Sequence, residues 1–373
     1  MSIRRFSVAG FRNLAAQELQ PGEGLTVITG ANGSGKTNLL EAVTVLGNLA
    51  SFRPSPPPSW IQHGLQSFSL GATVLRGPST VELRHEGWLA PRFRRALFRG
   101  GRRLGAAEYL ELLPVTALSG YDRELVWGSP ETRRRFLDWL SFHLHPDALP
   151  VLQRYRRALR QRNLLLAHSG RDDEIDAFDH DLAHLGARIV LARVEALAGI
   201  ERRLQSEFEQ LGWSLGRVAM RYNTSDGVAP ADVETVAGRL RSALASQRRH
   251  DRARGKTSVG PHRHDLVFTV QGVAVKDVLS AGQGKLMATG LKLAAMTWLA
   301  ETHGRAPAVV FDDVDAELDA GVVRRVLARL QTGGQAFLSS AHEEVVLGRL
   351  AGAVVWRLRA GVVEELSRGG ASA

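Results

Sequence analysis

Cysteine is absent from all 373 residues, so neither a disulfide framework nor thiolate chemistry is open to this chain, a composition that suits the cytoplasm. Lysine is almost absent too. It stands only at positions 36, 256, 276, 285 and 292, and arginine supplies the rest of the 48 basic residues. Aromatic residues make up 6%, with tryptophan and phenylalanine scattered, so no base-stacking platform stands out. No apolar run is long enough to cross a bilayer and no signal peptide follows Met1-Ser2-Ile3-Arg4-Arg5, so no membrane partner is expected.

The 44% apolar content is enough to build real cores, and the length allows one large or two ordinary domains. The formal charge is +10. A basic chain without membrane segments points to a polyanionic partner, and arginine is the side chain best shaped for bidentate phosphate contacts. A codon bias toward Arg, Ala, Gly and Leu explains the composition equally well.

One stretch carries specific chemistry. Leu25 to Thr29 reads as a β-rich run, Gly30-Ala31-Asn32-Gly33-Ser34-Gly35-Lys36-Thr37 fits the P-loop pattern G-x-x-x-x-G-K-T, and Asn38-Leu39-Leu40-Glu41-Ala42 opens an amphipathic helix. Gly30, Gly33 and Gly35 let successive backbone N–H groups converge on an anion, with the positive end of the helix aimed at the same spot. Lys36 adds a full charge near the β- and γ-phosphates, and the Thr37 hydroxyl is placed to ligate Mg²⁺. The plain alternative is a glycine turn before an ordinary helix; strand, loop and helix in the required order favour the phosphate site.

Around this stretch the chain reads in order. Ile3 to Val8 alternates like a strand, and the P-loop helix is expected over 36–49, ended by Pro54 and Pro56-Pro57-Pro58. The segments 68–74 and 80–84 read as antiparallel strands. Arg92, Arg94, Arg95, Arg99, Arg102 and Arg103 crowd around Gly100-Gly101, either a hairpin that tracks a nucleic-acid backbone or a solvated hairpin face. From Val126 to Leu211 apolar residues recur at helical spacing, which marks a helical domain too short for a long coiled coil.

Farther on, Leu279-Ser280-Ala281-Gly282-Gln283-Gly284-Lys285 runs into a helix through Trp298. Serine, glycines and a helix start present N–H groups and a hydroxyl to an anion, although an N-capped helix accounts for the same residues. Ala308 to Phe311 is a buried strand of the central parallel kind, ending in Asp312-Asp313. Acids there sit where ligands bind in open α/β sheets: one acid can hold Mg²⁺, directly or through water, while its neighbour polarises the attacking water, or the pair caps the next helix. Ala336 to His342 is another strand with a polar end, where His342 either bonds a γ-phosphate or is a structural histidine.

A P-loop, then a serine-glycine motif and paired strand-end acids far downstream, then a strand ending in histidine, is the order of ATPase heads of the ABC type. The sequence resembles the RecF family of bacterial recombination and gap-repair ATPases over nearly its whole length. The likeness rests on Phe11-Arg12-Asn13; the P-loop block through Ala42; 124–138, which contains Gly128-Ser129-Pro130 and Arg133-Arg134-Arg135-Phe136-Leu137-Asp138; and Tyr155 with Gln161-Arg162-Asn163. It rests also on Thr257-Ser258-Val259-Gly260-Pro261-His262-Arg263, Leu279-Ser280-Ala281-Gly282-Gln283, and Asp312-Asp313-Val314 with Glu317-Leu318-Asp319. Two departures stand at Gly120-Tyr121-Asp122-Arg123 and at His264, where the family has an acid.

The resemblance implies an α/β fold: an ABC-type P-loop ATPase head, a mixed sheet around the P-loop helix, with an inserted mostly helical second domain and no long coiled coil. The expected division is 1–118 and 255–373 for the two parts of the ATPase domain and 119–254 for the helical one. ATP and Mg²⁺ are the implied cofactors. The nucleotide would be held by Gly30, Ala31, Asn32, Gly33, Ser34, Gly35, Lys36, Thr37, Asn38 and Arg12, and from a second copy by Ser280, Gly282 and Gln283. Lys36, Asp312, Asp313, Ser280 and His342 would be catalytic, Thr37 and Asp312 metal ligands, and Asp319 a subunit contact. The implied activity is weak, DNA-dependent ATP hydrolysis by a homodimeric clamp on double-stranded DNA and single/double-strand junctions. The implied partners are RecR with RecO and, indirectly, RecA. A transporter-type ABC subunit and a nucleotide-gated protein scaffold are the rival readings.

Overall fold

The structure is a computed structural model and describes residues 1–168, 170–224, 232–340 and 352–368. The chain divides into two compact units, Met1–Arg123 with Ser206–Trp213 and Ser280–Ala373, and Glu124–Gln205 with Ser214–Leu279. These seams differ from the expected bounds at 119 and 255. Strand Asp265–Val270 pairs antiparallel with Val218–Asn223, which ties the stretch after 255 to the helical unit. The end of the long helix Asp172–Leu211 goes the other way: Glu207 accepts two bonds from Arg329, at 2.9 and 2.8 Å, inside the first unit.

In the first unit a six-stranded mixed sheet carries the P-loop. Its strands lie in the order Val362–Arg368, Val354–Arg359, Leu25–Thr29, Ala336–Ser339, Ala308–Phe311 and Val115–Leu118. All pairs are parallel except the first. Leu25–Thr29 is buried at every residue, as a strand covered on both faces must be. Ile28 and Val310 look into one core with Leu39, Leu40 and Val43 of the P-loop helix Lys36–Asn48. Val27, Val309 and Phe311 look into the other, with Leu293 and Met296 of helix Ala281–His303 and Val326 of helix Ala320–Gln331.

A second, antiparallel sheet of six strands contributes Ile3, Phe6, Leu70, Val74 and Leu83 to the first of those cores. The expected strand pair is there as Ser67–Arg76 and Ser79–Leu89, in register from Ser67↔Trp88 to Arg76↔Ser79. The arginine-rich stretch is its edge hairpin, Phe93–Arg99 with Arg102–Arg103. Gly100 and Gly101 at φ +52° and +84° make the turn that residues with a Cβ rarely adopt.

The second unit combines helices Pro130–Leu144, Ala148–Ala167, most of Asp172–Leu211 and Val233–Arg254 with the three-stranded sheet that contains Asp265–Val270. The blocks quoted for the resemblance hold this unit together. Arg162 is fully buried and donates to Asp179, Asp251 and Thr257, while Asn163 accepts the Thr257 N–H at 2.8 Å. Arg133 grips Asp265 with two bonds of 2.8 and 2.9 Å, and Arg193 reaches Asp138 at 2.7 Å. His264, the departure noted above, lies buried with its Nδ1 3.2 Å from the Tyr222 hydroxyl. Among the described residues the longest helix is Asp172–Leu211, far short of a coiled-coil arm, and no helix is long and apolar enough to cross a membrane.

Candidate functional site

Parallel pairing brings three strand ends to one edge. With Ser339 beside Ile28 and Leu338 beside Phe311, the sheet puts Ser339 and Asp312 side by side, with Gly30 just beyond the end of the neighbouring strand. The P-loop turns there with Gly30, Gly33 and Gly35 at φ +142°, +79° and +113°. Glycine is required at Gly30 for space as well, because a Cβ would lie 2.4 Å from the Leu358 carbonyl oxygen. A cavity of about 680 Å³ opens over the loop, lined by Gly30 to Ser34 on one side and by Arg357 to Ala360 on the other. The Ser34 hydroxyl is buried without a hydrogen-bond partner in this loop.

Lys36 is 6% exposed, and its Nζ donates to the loop's own Gly30 and Ala31 carbonyls at 2.7 and 3.3 Å. The next residue links distant parts of the chain: Thr37 Oγ1 donates to Asp312 Oδ1 at 3.1 Å. Ser339 Oγ donates to the same oxygen at 2.8 Å and accepts the Asp313 N–H at 2.8 Å. Burial pushes the Asp312 carboxyl above the ordinary range, and neighbouring Asp313 adds to the rise; the Ser339 and Thr37 hydroxyls and Arg53 oppose it. A buried carboxylate whose side-chain bonds among the described residues come from two hydroxyls is short of positive charge. With a threonine hydroxyl beside it, the pair fits a hard divalent cation.

Arg12 and Asn38 join the site through Glu41, a fully buried carboxylate on the P-loop helix. Arg12 donates to it from Nε at 2.9 Å and Nη2 at 2.7 Å; Arg53 donates to it at 3.3 Å and to Asn38 Oδ1 at 2.7 Å. Asn38 in turn donates to Asn13 Oδ1 at 2.7 Å.

Ser280, Gly282 and Gln283 stand elsewhere. Ser280 is the N-cap of helix Ala281–His303, in a capping box with Gln283 (2.8 and 3.4 Å), and none of the three lines the P-loop cavity of its own copy. A Cβ on Gly282 would lie 2.9 Å from the Glu317 carbonyl, so this helix start abuts the loop that follows Asp312. Asp319 caps the next helix, accepting the Val322 N–H at 2.8 Å. His342 lies outside the described residues.

A family model described as an AAA domain matches residues 5–51. The DNA replication and repair protein RecF of Anaeromyxobacter sp. (strain Fw109-5) is 36% identical over 350 residues, 93% of this chain and 94% of its own length. The chain belongs to the RecF family. A solved structure described as the recombination mediator protein RecF-ATP in the RecFOR pathway matches with a TM-score of 0.89 at 27% identity, over 98% of this chain and 97% of that one. At the level of fold alone, a SmcHead bound to the C-winged helix domain of ScpA matches with a TM-score of 0.57 at 19% identity, over 98% of both chains. The expected ABC-type head is therefore the fold of this RecF-family chain.

Several residues of the RecF-type site escaped the sequence reading. Glu41 and Arg53 look like ordinary helix and loop charges until the fold gathers their partners. Lys285 is 2% exposed and donates to the Asp313 carbonyl at 3.1 Å and to the Ala316 carbonyl at 2.5 Å, with the Phe311 ring 5.6 Å away. It pins a loop in which Asp313 and Glu317 both sit at positive φ, +49° and +64°. Its place in Ser280-Ala281-Gly282-Gln283-Gly284-Lys285 was the available signal.

Proposed function

We propose that this RecF-family chain is an ATP-dependent DNA-binding protein of recombinational gap repair and replication restart. Two copies close on duplex DNA near single-strand gaps with ATP between them, hydrolyse it slowly, and in the cytoplasm work with RecO and RecR toward RecA loading. The observation that carries the reading is the Thr37–Asp312 bond of 3.1 Å, which joins the P-loop helix to the strand-end acids beside a glycine loop and a lysine. That combination is a triphosphate cradle.

The chain's own groups define the chemistry. Loop N–H groups from Gly30 to Lys36 and the N-terminus of the P-loop helix bind the phosphates, and Lys36 exchanges its two carbonyl contacts for phosphate oxygens. Thr37 and Asp312 would hold Mg²⁺, which when bound neutralises phosphate charge and fixes the oxygens for in-line attack. Asp313, on the exposed side of the pair, orients the attacking water, and Ser339 fixes both acids relative to each other. Ser280, exposed, and Gly282, half-buried, both away from their own P-loop cavity, reach the γ-phosphate held by the other copy. ATP that binds only the pair shifts copies toward the pair by mass action, and hydrolysis releases it. The net charge of +10 supports phosphate-dominated, sequence-blind DNA binding.

The test is a duplex-binding titration with and without ATP on the parent and on Lys36→Ala. The expected result is ATP-dependent binding that the substitution abolishes. Equal affinity with and without ATP would contradict the clamp.

A further inference from the structure

We propose that the helix Ala148–Ala167 of the second unit presents its exposed arginines to the phosphate backbone of duplex DNA; this rests on the DNA-binding reading above. The helix carries five arginines, at 154, 156, 157, 160 and 162, and no acid. Its buried stripe is Val151, Tyr155, Ala158, Arg162 and Leu166, which places Arg154, Arg157 and Arg160 on the outward side, where all three are exposed. They follow one another at three-residue spacing, about 4.5 Å of rise each, so the row spans about 9 Å. That is the axial rise of two to three base pairs.

The row lacks counter-charge. Some exposed arginines do meet a carboxylate, as Arg84 meets Glu86, Arg135 meets Glu131 and Arg171 meets Asp173. Among the described residues Arg154, Arg157 and Arg160 meet none. Several acids of the neighbouring helices are already committed. Helix Val233–Arg254, which packs alongside, has six arginines and only Glu234 and Asp251 as acids; Asp251 is fully buried on Arg162. The acids at the start of the long helix, Asp172, Asp176 and Asp179, are taken by Arg248, Arg252 and Arg162.

This helix thus leaves charge of one sign facing outward along a rigid element. An unpaired guanidinium row of this kind suits an anion that repeats along a line and offers paired oxygens to each planar fork, which is the chemistry of a nucleic-acid backbone.

The experiment uses the full chain with ATP and a fluorescent duplex, titrated at several salt concentrations, for the parent and for the triple variant R154Q/R157Q/R160Q. Each phosphate contact contributes about 0.9 to the slope of log affinity against log salt, so the variant should lose about two to three units of slope and bind about tenfold more weakly or worse. Melting temperature and ATP affinity should match the parent, since the three side chains meet no carboxylate among the described residues. An unchanged slope and affinity would overturn the assignment, and would be the result if the row served an acidic protein partner. A parent that binds no duplex at any salt would instead sink the DNA-binding reading, and this inference with it.

Discussion

Replacing Glu41 by glutamine asks how much of the site hangs on one buried carboxylate. Its Oε1 accepts from Arg12 Nη2 at 2.7 Å, Ser51 Oγ at 2.7 Å and Ser55 Oγ at 3.2 Å; its Oε2 accepts from Arg12 Nε at 2.9 Å and Arg53 Nη1 at 3.3 Å. Glutamine has one acceptor oxygen. Whichever way its amide turns, an NH₂ group faces a donor of Arg12, and the negative charge that two guanidiniums share is gone. Breaking a buried ion pair from one side costs about 3–5 kcal/mol. The arginine side chains are 17% and 26% exposed and recover part of their hydration, so about 2–4 kcal/mol is the expected loss. For a unit of this size that is a drop of about 10 °C in melting temperature. Arg53 also holds Asn38 on the first turn of the P-loop helix, so ATP affinity should weaken along with stability. Calorimetry of the full chain and a titration with a fluorescent ATP analogue measure the two effects. A melting temperature within about 1 °C of the parent, with ATP affinity unchanged, would refute the reasoning.

Two further predictions come from buried titratable groups. Lys285→Met removes a desolvated ammonium, whose burial holds its pKa down, and fills the same volume with apolar atoms, so thermal stability should hold or rise. The loop 313–317 loses both of its cross-links, and its amides should exchange faster while ATP turnover falls about tenfold at unchanged ATP affinity; unaltered exchange and turnover would count against a positioning role. His262 accepts from the Tyr155 hydroxyl at 2.7 Å and donates to the Thr257 carbonyl at 3.1 Å, and burial lowers its pKa from 6.5 to about 4. The unfolded chain therefore takes up this proton first: stability is full above about pH 6.5, is lost as pH falls toward about 4, and levels off below that. The loss is about 3 kcal/mol, and melting curves across that range should show it in the parent and not in His262→Asn.

Much of the first unit was legible because its signals are local. The glycine loop needs left-handed backbone at Gly30, Gly33 and Gly35, and the observed φ values are those the spacing implies. The β-rich run at 25–29 announced the strand before the loop, the continuous apolar run at 308–311 announced a central parallel strand, and helical periodicity after Val126 announced the helical unit. The stretch of helical spacing from Val126 to Leu211 holds the observed helices Pro130–Leu144, Ala148–Ala167 and Asp172–Leu211. What stayed hidden depends on separation in sequence. Glu41 draws its partners from Arg12, Ser51, Arg53 and Ser55; Arg357 and Arg359 reach the cavity only because Val354–Arg359 pairs beside the P-loop strand. The division into units was hidden for the same reason, since Asp265–Val270 joins the helical unit through a strand that ends 42 residues earlier, at Asn223.

The account turns on a triphosphate shared between two copies, and light scattering with ATP measures that sharing most directly. The parent should move from 40.7 kDa toward twice that mass on adding ATP, while Ser280→Arg, with its P-loop intact, should bind ATP and stay at 40.7 kDa. A Ser280→Arg protein that pairs as tightly as the parent would contradict the composite site.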